Sequence, residues 1–144
     1  VDKDEYLKYK LDLNENTVLL SINGTIGNVA LYNNEKIVLG KSACYINCNE
    51  KLNKKFLAYL LKSDYWTKYI TRELTGTTIS NLSLASVRNL PILLPKKEEQ
   101  NKITSILNTV DDKISELESK KSYLEKLKKG LMQKLLTGQI RVKI

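Results

Sequence analysis

The sequence reads ITSILNTVDDKISELESKKSYLEKLKKGLMQKLL over residues 103–136, and most of its apolar side chains fall into two sets. One set recurs every seven residues, at Ile103, Val110, Leu117, Leu124 and Leu131. The other set lies three or four positions later, at Ile106, Leu107, Ile114, Leu127 and Leu135. This spacing places both sets on one face of an α-helix and is typical of a coiled coil.

The helix that carries this repeat is predicted to run from Glu98 to about Leu136, because that stretch has no proline and only one glycine. At 1.5 Å per residue, about 39 residues of helix span roughly 58 Å. If Ile103 is heptad position a, then three d positions, 113, 120 and 134, are occupied by lysine and not by an apolar residue. The apolar stripe is therefore not a simple leucine zipper. The 95 residues before it are too few to cover such a stripe, and we therefore expect a partner helix.

A small β-sheet is predicted upstream, where apolar runs alternate with turn-forming residues. Thr17–Ile22 and Ile26–Tyr32 are predicted to pair as a hairpin, because Asn23 and Gly24 stand between them and Asn-Gly is a strong hairpin signal. Further along, the apolar runs predict two more strands, Lys36–Gly40 and Ser42–Cys48.

The two cysteines, Cys44 and Cys48, fall within the last of these predicted strands. On a strand they would share one face at a separation of about 13 Å, too far apart for a disulfide bond. Two thiols without any histidine also leave a zinc site short of ligands. We expect both to be buried, unpaired side chains in a reducing cytoplasm.

Helical spacing replaces the strand pattern after Asn53. Phe56–Leu61 and Tyr65–Ile70 are predicted to form two short helices, with Ser63 and Asp64 capping the second. The aromatic residues of the second helix, which include Trp66, are predicted to pack on the sheet and not to stack on bases.

The remainder of this part of the chain is less regular. A hydroxyl-rich loop is predicted at 77–81, followed by one helical turn at Ser83–Arg88 and a short strand at Leu90–Pro95. The prediction for the whole chain is an α+β fold, in which a small domain at 1–95 precedes a long coiled-coil helix at 96–144.

Charge and composition exclude several classes of function. The net charge is +8, with +3 in residues 1–95 and +5 in residues 96–144, which suits a polyanionic partner but is also explained by solubility. The absence of histidine excludes a Ser-His-Asp triad, an imidazole base and a His-ligated metal. No phosphate-binding glycine motif is present. We therefore predict no catalytic residues, no metal and no cofactor.

The location is predicted to be cytoplasmic. No apolar run approaches the roughly 20 residues of a membrane span, and the acidic opening VDKDE is unlike a signal peptide. The chain does not begin with methionine, so we expect it to begin inside a longer chain.

Four segments resemble the DNA specificity subunit of Type I restriction-modification systems, in the order found in that family. They are TVLLSINGTIGNVALY at 17–32, GTTISNLSLASVRNLPILLP at 76–95, EEQNKI at 98–103 and LKKGLMQKLLTGQIRV at 127–142. The first two are similar to the middle and end of a target recognition domain. The last two are similar to the start and end of the family's conserved helix, so the resemblance covers most of the chain.

The resemblance implies a protein that binds double-stranded DNA and has no catalytic activity of its own. Subunits of this family carry two target recognition domains, each recognising half of a split site, joined by two long antiparallel helices that set the spacing. Methyltransferase and restriction subunits are the implied partners and perform the chemistry. A second recognition half, or a second copy of this chain, would supply the other helix.

The sequence also departs from the family pattern. Lys96-Lys97 replaces the usual proline-rich junction, which suggests a looser elbow between domain and helix. Ile79 stands where a polar residue is common, and the opening part of the recognition domain is expected to lie before Val1.

Two sets of site residues follow from these patterns. Small polar loops and lysines of the domain can approach phosphates and base edges, which gives the candidates Asn23, Thr25, Lys36, Lys41, Ser42, Thr77, Thr78, Ser80 and Asn81. The helix pairing is assigned to the seam residues Ile103, Leu107, Val110, Ile114, Leu117, Leu124, Leu127 and Leu131. The alternative function is a non-DNA assembly module, a small α+β head on a dimerising coiled coil, and salt-dependent DNA binding separates the two.

Overall fold

The chain forms a small sheet, three short helices and one long helix, in a computed structural model that describes residues 9, 11–74 and 81–143. The strands are β1 (Thr17–Ser21), β2 (Val29–Leu31) and β3 (Ala43–Asn47). The helices are α1 (Lys54–Leu60), α2 (Asp64–Leu74), α3 (Leu84–Arg88) and α4 (Lys97–Leu136). The α+β class with a long C-terminal helix is thereby confirmed. One compact unit, here called the head, ends at Thr104, and a second begins at Ser105; the division of domains at 95/96 stays a prediction.

Strand β1 lies at the centre of the sheet, whose order is β2-β1-β3, and both pairings are antiparallel. Leu19 stands opposite Ala30 on one side and Tyr45 on the other. Val18 and Leu20 are fully buried, because side chains alternate between the faces of a strand and these two face the helices. The predicted hairpin of β1 and β2 is confirmed.

Three strand predictions need correction. Strand β2 begins at Val29, later than predicted, because residues 22–28 form the connecting turn. The segment 36–40 is not a strand: β2 and β3 already occupy both edges of β1, which leaves it no strand partner there. The segment 90–95 is also irregular, since Pro91 and Pro95 lack the N–H groups that a ladder requires.

The core lies between one face of the sheet and the short helices. Trp66 of α2 and Leu57 of α1 pack with Val18 and Leu20 of β1, and each of the four is at most 2% exposed. Truncating a buried tryptophan of this kind to alanine typically costs about 3–5 kcal/mol. The prediction that Trp66 packs in the core is confirmed.

Side-chain caps fix where the short helices begin. Asn53 Oδ1 accepts hydrogen bonds from the backbone N–H groups of Lys55 (2.8 Å) and Phe56 (3.3 Å) at the start of α1. Ser63 Oγ accepts from Trp66 N at 3.4 Å, as the predicted cap of α2. Such caps satisfy backbone donors that have no partner within the helix.

The first two turns of α4 are packed into the head. Gln100 is 0% exposed and Thr104 is 4% exposed, although both are polar. Buried polar groups cost about 1–3 kcal/mol each when they lack a partner, and here both have one. Thr104 Oγ1 donates to Asn101 O at 3.0 Å, and the hydrogen bonds of Gln100 are described below.

Both cysteines are buried and unpaired, as predicted. Burial raises the pKa of the Cys44 and Cys48 thiols, so both stay protonated and shielded at neutral pH. We expect Ellman's reagent at pH 8 to react slowly with the folded chain and rapidly after unfolding in urea, measured by absorbance. Rapid reaction of either thiol in the folded chain would contradict this burial.

The raised pKa of the two thiols makes the stability of the fold depend on pH. The folded chain keeps the thiol protons of Cys44 and Cys48 to a higher pH than the unfolded chain, whose thiols have a pKa of about 8.5. Their contribution to the free energy of unfolding is therefore full below that pH and is lost as pH rises through the higher folded pKa. Replacing both residues with alanine should remove this dependence, as seen in urea unfolding at pH 7 to 10.

Candidate nucleic-acid interface

Three segments of the head meet where β1 ends. The backbone N–H groups of Ile22 and Asn23 both donate to Ser42 O, at 2.9 and 3.3 Å. On the other side, Leu82 N donates to Ile22 O at 2.8 Å, and Asn23 forms an isolated bridge with Asn81. These contacts bring together the turn after β1, the turn before β3 and the residues before α3.

We name this region the loop edge and define it by Asn23, Thr25, Lys41, Ser42 and Asn81. All five were predicted from sequence as DNA-contacting residues. Thr25, Lys41, Ser42 and Asn81 are exposed, and Asn23 is partly buried. Asn23 Oδ1 accepts a hydrogen bond from Gly24 N at 2.8 Å. The edge therefore presents amide, hydroxyl and ammonium groups, which are the groups that contact phosphates and base edges.

Ser21 and two glycines hold the turn between β1 and β2. Ser21 Oγ donates to Thr25 O at 2.5 Å and accepts from Asn28 N at 2.8 Å. Gly24 and Gly27 have φ angles of +70° and +93°, which side chains other than that of glycine rarely adopt. A Cβ at Gly27 would also stand 3.7 Å from Trp66 Nε1, so this turn rests directly on the core.

Lys36 is exposed but lies away from the loop edge. It follows a tight turn in which the Tyr32 hydroxyl donates to Glu35 O at 2.9 Å. Tyr32 N donates to Thr17 O, so this turn lies where β1 begins, whereas the loop edge lies where β1 ends. The backbone N–H of Asn33 also bonds the Glu35 carboxylate at 2.9 Å and lowers its pKa. Lys36 as a DNA contact stays a prediction.

Three further candidates, Thr77, Thr78 and Ser80, lie outside the described residues. Their neighbour Asn81 is described, and it forms the isolated bridge with Asn23. Whether these three residues contact DNA also stays a prediction.

Two residues that sequence reasoning did not single out line the same cleft as Lys41. Tyr45 and Arg88 line the same groove as Lys41, a cleft of about 760 Å³ whose other walls are mainly apolar. Tyr45 is 38% exposed on β3. Period-two alternation in 42–48 turns Cys44 inward and Tyr45 outward, so this signal was present in the sequence. Arg88 carried no such signal, because its place depends on how α3 packs.

The seam residues of α4 are exposed along most of their length. Ile103 and Leu107 are half-buried. The other six seam residues are 44–53% exposed, and they are Val110, Ile114, Leu117, Leu124, Leu127 and Leu131. An exposed apolar stripe of this length marks an interaction surface. The seam prediction is consistent with this exposure, but pairing itself remains a proposal.

Two classes of site are not found in the described part of the chain. Among residues 9, 11–74 and 81–143, no three His, Cys, Asp or Glu side chains come together as metal ligands. In the same ranges, no helix has the length and apolar character that crossing a membrane requires.

The described chain thus combines a small α+β head, which has polar loops at one edge, with a long helix that carries an apolar seam. The family model of the Type I restriction modification DNA specificity domain matches residues 3–128. The chain therefore belongs to this family. Its relatives are named as specificity subunits, so the family predicted from the sequence is confirmed.

Individual relatives agree with this assignment. The chain is 39% identical over 99 residues to the Type I restriction enzyme MjaVIII specificity subunit of Methanocaldococcus jannaschii, covering 69% of this chain and 23% of that protein. The Type I S subunit structure from M. genitalium has a TM-score of 0.65 and 28% identity, covering 87% of this chain and 33% of that one.

A further solved structure supports the fold alone. The HsdS subunit from Thermoanaerobacter tengcongensis has a TM-score of 0.67 at 24% identity and covers 84% of this chain and 32% of that one. The chain thus spans about a quarter to a third of the length of the relatives it matches.

The loop edge predicts how a single lysine affects DNA binding. Replacing Lys41 with alanine should weaken binding about equally on all duplex sequences, because an ammonium group contacts phosphates and not particular bases. The slope of log K against log salt should flatten by about one. Fluorescence anisotropy with labelled duplexes at several salt concentrations measures both effects.

Lys55→Ala is the matched control. Lys55 is exposed at the start of α1, and its neighbour Lys54 bonds Tyr32 O, so it lies near the opposite end of the sheet. The Lys55→Ala change should leave the slope of log K against log salt unchanged. Asn81→Ala should instead alter sequence preference, since an amide can bond base edges. Equal effects of the Lys41 and Lys55 changes would show that the loop edge is not the binding surface.

Proposed function

We propose that the head recognises one half of a split double-stranded DNA site with its loop edge, and that α4 pairs with a second long helix to set the distance between the halves. The meeting of three segments of the head at the end of β1 carries this proposal. In it, methyltransferase and restriction subunits bind the assembled protein in the cytoplasm and supply all catalysis.

Recognition of bases is supported by the chemistry of the loop edge. Asparagine amides pair with the edge of adenine in the major groove, and serine and threonine hydroxyls bond either donors or acceptors. Asn81 and Ser42 provide such groups next to Lys41, which provides charge for the phosphates. Backbone hydrogen bonds fix the turns on which these side chains stand, so little ordering is needed on binding.

Helix pairing is supported by the exposed seam, and its direction by charge. Residues 111–118 carry a net charge of −3, and residues 120–134 carry +5. An antiparallel pair crossing near residue 119 would set each acidic stretch against the partner's basic stretch, whereas a parallel pair would set like charges together. Exposed pairs are worth only about 0.2–1 kcal/mol each, but several acting together decide orientation.

The decisive experiment is to express the full-length subunit with its methyltransferase partner and to sequence the methylated bases of the host genome. We expect a split motif, one half of which changes when the loop edge is altered. The purified chain alone, given DNA, Mg²⁺, ATP and S-adenosylmethionine, should turn over none of them. A partner complex that assembles but neither binds DNA nor modifies it would favour the alternative, a non-DNA assembly module.

Pairing through the seam predicts a change of oligomeric state. Replacing Leu117 and Leu124 together with aspartate should give a monomer by light scattering, because the charges would lie in the centre of the apolar seam. Leu93→Asp is the control, since Leu93 is 93% exposed and lies outside α4. A dimer that survives the double change would exclude this seam.

Orientation is tested by disulfide crosslinking in a chain whose own cysteines are replaced with serine. A chain carrying Val110→Cys, mixed with one carrying Lys128→Cys, should form a heterodimeric crosslink under mild oxidation. Val110→Cys alone should crosslink poorly. The reverse pattern would mean that the helices run parallel, and the spacer role would fail.

A further inference from the structure

The first turn of α4 is held by the side-chain amide of Gln100. Asn53 N donates to Gln100 Oε1, and Gln100 Nε2 donates to both Lys51 O and Pro95 O, each at 2.8 Å. The side chain is 0% exposed. Both amide hydrogens and the amide oxygen are therefore used, and all three partners are backbone atoms.

A neighbouring pair of side chains adds a further hydrogen bond to those of Gln100. Asn53 Nδ2 donates to Asn101 Oδ1 at 2.7 Å, while Asn53 Oδ1 caps α1. The start of α4 is thus tied to the loop before α1 through both Gln100 and Asn101. Sequence alone suggested a looser elbow here, because Lys96-Lys97 replaces the proline-rich junction.

Directional bonds distinguish this contact from simple burial. An apolar side chain at position 100 would fill the same space but would tolerate sliding and rotation of the helix. A planar amide bonded at three points fixes its own position and orientation, because hydrogen bonds weaken steeply as their angles depart from linear. Helix α4 is continuous from Lys97 to Leu136, so the residues that Gln100 holds belong to the same helix as the seam.

We propose that Gln100 is a positioning residue that determines how narrow a range of half-site spacings the protein accepts. This inference rests on the proposed function. Gln100 fixes the first two turns of α4 within the head, and it contacts no DNA. Loss of its bonds would let the helix start shift, so that more spacings are accepted and each is bound less well.

The test uses the full-length subunit in complex with its methyltransferase partner, on duplexes whose two half-sites are separated by the natural spacing or by one base pair more or less. A misplacement of about 1 Å can cost on the order of 100-fold in rate. For Gln100→Leu, we expect the ratio of methylation rates, natural over altered spacing, to fall by about tenfold against the wild type. Sequence preference within each half-site should not change.

Gln133→Leu is the matched control, because Gln133 is exposed on the same helix and undergoes the same chemical change. It should keep the wild-type ratio. Circular dichroism melting measures stability separately, and a merely structural role for Gln100 would lower the melting temperature and leave the spacing ratio unchanged. A folded Gln100→Leu protein with the wild-type ratio overturns the proposal.

If the Gln100→Leu protein does not fold, the Asn101→Ala variant tests the proposal instead. It removes only the exposed bond from Asn53, and the spacing ratio should fall by a smaller factor. An unchanged ratio in a folded Asn101→Ala protein overturns the proposal. If the wild-type complex methylates no split site at any spacing, the proposed function is overturned, and this inference with it. If the wild type selects for spacing and the variants select equally well, only this inference is overturned.

Discussion

The hydrogen bonding of β1 is the constraint on which the head depends. Its two neighbours in the sheet come from later in the chain, and Ile22, which directly follows it, binds two further segments. The N–H of Ile22 donates to Ser42 O, and its carbonyl accepts from Leu82 N. Backbone groups next to a buried strand need partners, and here the turn before β3 and the residues before α3 supply them. The loop edge exists because these bonds are satisfied at one end of β1.

The same chain contains a second surface of a different kind. The head buries Val18, Leu20 and Trp66, but the seam of α4 beyond Leu107 stays about half exposed. A helix of 40 residues has more apolar length than a domain of this size can cover. The head can therefore present polar loops while the helix presents an apolar stripe. This separation suits a protein that binds DNA with one part and assembles through another.

Sequence reasoning recovered much of the fold and part of the candidate site. Periodicity found β1, β3 and the helices, and the Asn-Gly turn found the hairpin. Residue chemistry selected Asn23, Ser42 and Asn81, but it could not show that they meet, since nearly 60 residues separate the first from the last. Lys36 was chosen by the same chemistry, yet it lies where β1 begins. Arg88 was missed because its position depends on the packing of α3.

What the sequence by itself determined is local: the seven-residue repeat, the turn glycines, the helix caps and the family to which the chain belongs. These depend on residues within about one turn or one hairpin of each other. Only the tertiary structure decided which extended segments became strands, since 36–40 and 90–95 have apolar runs but do not join the sheet. It also decided that Gln100, an ordinary polar residue in a helix, is buried with three backbone partners. The physical reason is that strand partners, burial and the neighbours of a turn are contributed by residues far away in the chain.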